Sequence, residues 1–428
     1  MRISQFLLVF RSRKILLLLL LGFSSGLPLA LTAGTLQAWL TVEGVDLKTI
    51  GWFALVGQPY TYKFLWAPVM DRWSAPLFGA WLGRRRGWLL ATQVLLAAGI
   101  AAMGLLPPRE SPWLLAALAL AVAFLSASQD IVFDALRADI LEAEERGAGA
   151  AVSVFGYRIA MLVSGGLALV LADSVLGWTA TYFLMAALMA VGMLAVWRLP
   201  EPQNGAAAPR TLAAAVREPF GEFFSRRGAV LLLVLVVLYK LGDAFAGSLS
   251  TAFLIRGAGF SATDVGAINK GLGLVATIFG ALAGGALMAR LRLWRALMVF
   301  GVLQAVTNLG FMAIAVAGKN YALMVAAIFA ENLCGGMGTA AFVALLMALC
   351  DKRFSATQFA LLSALAAVGR VYVGPAAGVL AAELGWIVFF FITFVIALPG
   401  VLMLWWMRAR IDALDTSAAS AAPGTAPG

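Results

Sequence analysis

Asp130, Asp134 and Arg137 fall at i, i+4 and i+7 of one apolar run, so a helix there would carry all three on one face. The run opens with PWLLAALALAVAFL and continues as SASQDIVFDALRADILEAEERG over 126–147. Two carboxylates a turn apart in a poorly solvated setting cannot both stay charged cheaply, because desolvation and mutual repulsion disfavour the doubly ionised state. One of them is therefore a candidate to take up and release a proton. Histidine is absent from the chain, which removes the usual proton shuttle and the usual zinc ligand. Asp130 and Asp134 are thus the expected proton-coupling pair, and no metal or cofactor is expected. The competing reading is an internal ion network closed by Arg137.

Further ionisable groups interrupt other apolar runs. Lys63 stands in QPYTYKFLW, Lys240 and Asp243 stand at i, i+3, and Arg158, Lys270, Glu331 and Arg370 are each embedded in aliphatic sequence. Charges inside a bilayer are costly and mark substrate or ion pathways. Arginine grips carboxylates and phosphates bidentately, and cations outnumber acids here, so the expected cargo is an anion. The candidate substrate contacts are Gln37, Tyr62, Lys63, Gln129, Arg158, Lys240, Asp243, Asn269, Lys270, Glu331, Asn332 and Arg370. Two alternatives stay open: Lys240 and Asp243 could simply neutralise each other, and Arg158 and Arg370 could latch their helices to neighbours.

These residues need a scaffold that holds them in lipid. Of 428 residues 62% are hydrophobic and 12% charged, against about 25% charged in soluble domains. Apolar runs long enough to span a bilayer, roughly 20 residues each, number twelve: 15–40, 49–70, 87–106, 113–141, 148–172, 178–198, 228–254, 262–289, 295–317, 320–350, 355–382 and 385–407. They are called segments 1 to 12 below. The first follows RSRK but is too long for a signal peptide, so it is expected to be retained. Of the 31 Lys and Arg, 21 lie in the N-terminus, alternate loops and C-terminus, and four (Lys48, Arg109, Arg256, Lys319) in the opposite loops. That bias places both termini in the cytoplasm. It also explains the net charge of +10 without nucleic acid. Cys334 and Cys350 form no disulfide framework. An enzyme is not expected, since histidine and any sizeable domain outside the bilayer are missing.

The ionisable groups favour segments 2, 4, 5, 7, 8, 10 and 11, and segments 3, 6, 9 and 12 are bland; the bland segments are expected to face lipid. An internal repeat runs alongside. Gly156-Tyr157-Arg158, Gly165-Gly166, Leu176-Gly177-Trp178 and Phe183 recur as Gly369-Arg370, Gly378, Leu384-Gly385-Trp386 and Phe391, at offsets of 208 to 212 residues. The reading is an all-α integral membrane protein with the major facilitator fold: twelve transmembrane helices in two pseudo-symmetric six-helix halves, with substrate near the midplane between them. Its parts are an N-terminal half (1–198), a polar linker (199–227), a C-terminal half (228–410) and a low-complexity disordered tail (411–428). In the loop after segment 2, Asp71, Arg72, Arg84 and Arg85 are expected to form a conformational latch with Asp139 and Arg146.

Several strings are more specific than this architecture. GFSSGLPLALTAGTLQAWLTVEGVDLKTIGWFALVGQPYTYKFLWAPVMDRW, GRRRGWLLATQ, SASQDIVFDALRADILEAEERGAGAAVSVFGYR, LYKLGDAFA, FLIRGAGF, NLCGGMGTAAFVALLMALC and FSATQFALLSALAAVGRVYVGP resemble AmpG-type muropeptide permeases over about residues 5–408. The resemblance implies a bacterial inner-membrane symporter that imports anhydromuropeptides with protons for peptidoglycan recycling, a route that also feeds β-lactamase induction; a monomer is expected. The alternative is a transporter of another anion, such as an acyl-CoA, siderophore or sugar phosphate. One departure stands out: WSAPLFGAWL (73–82) separates Asp71-Arg72 from Gly83-Arg84-Arg85-Arg86, which adjoin in the wider superfamily.

Overall fold

The computed structural model describes residues 13–141, 145–199, 221–225, 228–350 and 355–420. Among them every regular element is helical. That is what a lipid environment requires, because a helix satisfies its own backbone polar groups where no water can. Ten helices are long and apolar enough to cross a membrane: Arg13–Val42, Arg84–Gly104, Pro112–Arg137, Gly149–Ser174, Gly177–Arg198, Ala229–Gly257, Ala262–Met288, Leu293–Ala317, Tyr321–Ala348 and Leu362–Trp406.

Two departures from regular helix reconcile this with twelve segments. The last helix is too long for one crossing, and its backbone turns at Gly385 (φ 75°, ψ 170°), which divides segment 11 from segment 12. Segment 2, expected as a continuous helix over 49–70, is instead a chain of short α and 3-10 pieces from Leu47 to Arg72. Pro59 and Pro68 each remove a backbone donor there. Segment 1 is also interrupted, at Thr32-Ala33, between Arg13–Leu31 and Gly34–Val42.

The repeat seen in the sequence recurs as backbone and packing. Gly177 and Gly385, the glycines of the two LGW motifs, both adopt positive φ, 76° and 75°. Trp178 then stacks on Trp39 with centroids 5.7 Å apart, and Tyr182 packs on the same ring at 5.1 Å. At the corresponding place Trp386 and Phe390 pack on Phe253 at 5.3 and 4.7 Å. In each set the turn delivers one aromatic, and the next helical turn a second, onto the far end of the unit's first segment.

The chain forms two compact units. One comprises 1–46, 53–210 and 261–270; the other comprises 47–52, 211–260 and 271–428. Each has its own apolar core. In the first, Ile15, Leu18, Leu21, Leu89, Val132, Phe133, Leu136 and Val196 are buried together. In the second, Leu235, Val236, Phe300, Ala341, Leu345 and Leu404 play that part. Ile411, on the helix Arg408–Ser420, joins the second core, so helix runs into the stretch 411–420 that composition marks as low-complexity. Residues 200–220 and 226–227 of the expected linker and 421–428 of the expected tail lie outside the described residues.

Candidate functional site

In the first unit, the helix Pro112–Ile140 carries Gln129, Asp130, Asp134 and Arg137. The two acids do not share one environment. Asp134 is 54% exposed and pairs with Arg137, Nη2 to Oδ1 at 3.0 Å. Asp130, a turn deeper, is half-buried and accepts a hydrogen bond from the Ser25 hydroxyl of segment 1. The charge of Lys63, from segment 2, also acts on Asp130. The expected carboxylate pair is therefore resolved into one ion pair at the helix end and one carboxylate inside a polar pocket.

Buried polar atoms surround that inner carboxylate. Gln129, which precedes it, has both amide atoms buried without a protein hydrogen-bond partner, and so have the hydroxyls of Ser126 and Tyr60. Unsatisfied buried polar groups cost about 1–3 kcal/mol each. Their clustering beside an ionisable group fits a place where water or a polar ligand completes the hydrogen bonds.

Tyr62, expected beside Lys63 as a substrate contact, lies elsewhere. With Gln58, Trp66, Leu120, Ala121 and Phe124 it lines an apolar open groove of about 610 Å³. At about 100° per residue, Ala121 and Phe124 face some 120–180° away from Asp130 around their helix. Trp66 closes one wall, donating to Ser128 Oγ at 3.0 Å and packing on Phe124 at 4.7 Å.

Lys270 belongs to the first unit although it lies on segment 8. It sits in a π-helical stretch, Val265–Leu272, and a Cβ built on Gly34 would lie 3.2 Å from its ammonium. The interruption of segment 1 thus opens space for a cation. Asn269 Nδ2 is buried without a partner. Gly166 and Gly266 make this approach possible, since a Cβ on Gly266 would meet the Gly166 carbonyl at 2.6 Å. Asp173 accepts hydrogen bonds from both the backbone N–H and the hydroxyl of Thr263, at 2.9 and 2.7 Å, fixing the start of segment 8. Gln37 is half-buried on segment 1, and its backbone carbonyl accepts from the Thr41 hydroxyl.

The second unit holds its own charged cluster. Lys240 Nζ lies 3.4 Å from Asp243 Oδ2 and 3.4 Å from Thr339 Oγ1, with the Tyr239 and Phe342 rings under 6 Å away. Gln304 donates to the same Asp243 oxygen at 2.6 Å. Nearby on segment 10, Asn332 donates to Glu331 Oε2 at 2.8 Å and its Oδ1 accepts from Thr277 at 3.2 Å. Arg158 and Arg370, the repeat-related arginines, are both exposed and make no ion pair among the described residues.

Of the residues expected to form a latch, one pair meets, between the start of segment 3 and the end of segment 4. Arg85 Nε meets Asp139 Oδ2 at 3.1 Å, with side chains 7% and 8% exposed. Arg72 is exposed beside Trp73 and Arg84 is half-buried. The side chains of Asp71 and Arg146 lie outside the described residues.

Helices of both units thus carry half-buried or exposed cations and acids within apolar spans. Residues 18–371 match the family model of the Major Facilitator Superfamily. The chain is 59% identical over 409 residues to the anhydromuropeptide permease of Escherichia coli K12, covering 96% of this chain and 82% of that one. The chain belongs to the Major Facilitator Superfamily, and within it to the anhydromuropeptide permeases. A putative transporter AmpG 4 of Rickettsia felis is 33% identical, covering 94% of this chain and 99% of that one. Among solved structures, the peptide transporter POT aligns with a TM-score of 0.73 at 12% identity, covering 94% of this chain and 95% of that one. The D-xylose-proton symporter aligns at 0.69 and 12%, covering 92% and 97%. At such identities these two support the fold alone.

For a member of this family, Gln304 is the residue that a count of ionisable groups overlooks. It lies on segment 9, which carries no ionisable group in its interior, yet it contacts the half-buried acid of segment 7. A signal was present. Gln93 on segment 3 precedes Gln304 by 211 residues, inside the repeat offset, and both are buried. Gln304 completes the polar cluster around Asp243, while both amide atoms of Gln93 are buried without a hydrogen-bond partner among the described residues.

Proposed function

We propose that this chain is a proton-coupled importer of anhydromuropeptides, acting as a monomer in the bacterial inner membrane with both termini in the cytoplasm. The substrate class rests on its 59% identity to the E. coli permease. The observation that carries the coupling mechanism is a half-buried carboxylate, Asp130, held by the Ser25 hydroxyl and within the electrostatic reach of Lys63. While Asp130 is ionised, it competes for the charge of Lys63. A proton on Asp130 removes that competitor, and Lys63 then takes a carboxylate of the peptide moiety. Proton and anion binding thereby favour each other, which is the reciprocity a symporter needs. Tyr60, Ser126 and Gln129 supply the polar lining through which the proton reaches Asp130.

The remaining cations extend the anion site. The first unit offers Lys270 beside Gly34 and the exposed Arg158, and the second offers Lys240 beside Asp243 and the exposed Arg370, as positive charges suited to carboxylates of the ligand. Gln37, Asn269, Glu331 and Asn332 are suited to its amides and hydroxyls. Arg85 and Asp139 hold the loop end of segment 4 to segment 3 and act as the latch. The account places Asp134 in the structural ion pair with Arg137.

Uptake of labelled anhydromuropeptide into proteoliposomes, with and without an imposed pH gradient, tests this reading. Accumulation only with the acidic side outside is expected. Uptake of a sugar phosphate or acyl-CoA in its place would favour a carrier for another anion.

A further inference from the structure

The inserted loop 73–83 is built to present apolar side chains outward. Ala75, Phe78 and Leu82 turn inward, Ala75 buried and the other two packed on the first core. Leu77 is 87% exposed and Trp81 82%, with Trp73 exposed beside them. Leu77 also has a φ of +63° and is the one non-glycine residue with positive φ among the described residues. The Phe78 N–H donates to the Pro76 carbonyl at 2.7 Å, closing a three-residue turn around it. Such a turn with positive φ is rare and strained. Strain of this kind persists only where the surroundings hold it, and here it thrusts a leucine away from the protein.

Two contacts fix the depth of this loop. The helix of segment 3, Arg84–Gly104, starts at Arg84, and its 21 residues match a hydrocarbon core of about 30 Å. The loop does not leave that helix end for the solvent. It folds back along the first turn: Trp88 Nε1 donates to the Trp73 carbonyl at 2.7 Å, and a Cβ on Gly87 would lie 2.8 Å from Gly79 Cα. Leu77, Trp81 and Trp73 are therefore held beside the boundary between headgroups and acyl chains. Arg72, exposed and over the Trp73 ring, and Arg84 place positive charge at the same level.

We propose that this loop docks into the bilayer the chain spans. Leu77, Trp81 and Trp73 enter the interfacial layer of the leaflet where segment 2 ends and segment 3 begins, and Arg72 and Arg84 take the phosphates of anionic lipids. Aromatic rings and arginines at this depth suit that layer. The proposal is independent of what the carrier moves and of which face of the membrane is cytoplasmic.

The test uses the full chain with Cys334→Ala and Cys350→Ala, a nitroxide at Leu77→Cys, and nanodiscs of phosphatidylcholine with or without phosphatidylglycerol. Power saturation compares collisions with oxygen and with a water-soluble nickel chelate. Reference labels sit at Leu95→Cys, within segment 3, and at Lys319→Cys, in an exposed loop. The Leu77 label is expected to meet nickel several-fold less often than the Lys319 label, and less often still with phosphatidylglycerol. Trp81→Cys, which leaves the strained turn intact, should behave alike. Nickel access equal to that at Lys319 from both labels overturns the docking. Spin–spin broadening that vanishes on dilution with unlabelled chain would overturn it in favour of a contact between copies. Equal immersion in the two lipid mixtures overturns the role of the arginines.

Discussion

Arg137 holds the Asp134 carboxylate at 3.0 Å, while Asp130, one helical turn earlier, is bound by Ser25 and faces the charge of Lys63. Two acids that share a helix face thus have different partners. Asp134→Asn should retain gradient-driven accumulation within a few-fold of the parent, because an exposed ion pair contributes only about 0–1 kcal/mol. Asp130→Asn should abolish accumulation while exchange of substrate continues. Counterflow and uptake assays on the two variants separate these outcomes. Equal losses in both would mean that the two acids act as one unit.

Lys63 should show the complementary pattern. Lys63→Gln is expected to weaken binding of the acidic peptide at least tenfold, about 1.4 kcal/mol. A ligand with its peptide carboxylates amidated should bind parent and variant almost alike. Equal weakening for both ligands, measured by calorimetry, would place Lys63 in the scaffold.

The Gln304–Asp243 hydrogen bond of 2.6 Å, with Lys240 at 3.4 Å, forms a shared network. A double-mutant cycle of Gln304→Leu and Lys240→Met should give a coupling energy of about 0.5–3 kcal/mol in thermal or denaturant unfolding. Additive effects would show that the two residues hold Asp243 independently.

Breaking the Arg85–Asp139 pair leaves a buried charge without its partner. Either Arg85→Met or Asp139→Leu should cost about 3–5 kcal/mol, and the double replacement should recover part of it. Unfolding in detergent micelles followed by tryptophan fluorescence provides the measurement.

Leu77→Gly should act in the opposite direction. Glycine takes positive φ at no steric cost, so the turn relaxes and the melting temperature in detergent should rise. A lower melting temperature would show that Leu77 packs on the fold rather than being held out from it.

Much of this was legible in the sequence, for definite reasons. The repeat around Arg158 and Arg370 and the two LGW motifs announced turns that recur at Gly177 and Gly385, because positive φ selects glycine. The polar residues of segments 4 and 7 stood out against aliphatic runs. Less legible was the continuity of each helix. Segment 2 has the composition of a helix, and only Pro59 and Pro68 hinted at its division into short pieces. Helical periodicity put Asp130 and Asp134 on one face, but it could not tell that Arg137 would choose the nearer acid. Tyr62 beside Lys63 illustrates the same limit: adjacent helical positions point about 100° apart, and Tyr62 turns into an apolar groove. Gln304 was hidden because it is uncharged, although its counterpart Gln93 lies at the repeat distance.

The central claim, that Asp130 couples protons to anhydromuropeptide import, is tested most directly by substrate-driven proton flux. Proteoliposomes loaded with a pH-sensitive dye and set without a starting pH gradient should acidify inside when anhydromuropeptide is added outside. With Asp130→Asn the substrate should still bind and exchange, and the interior pH should stay constant. Undiminished acidification by the Asp130→Asn protein would contradict the account.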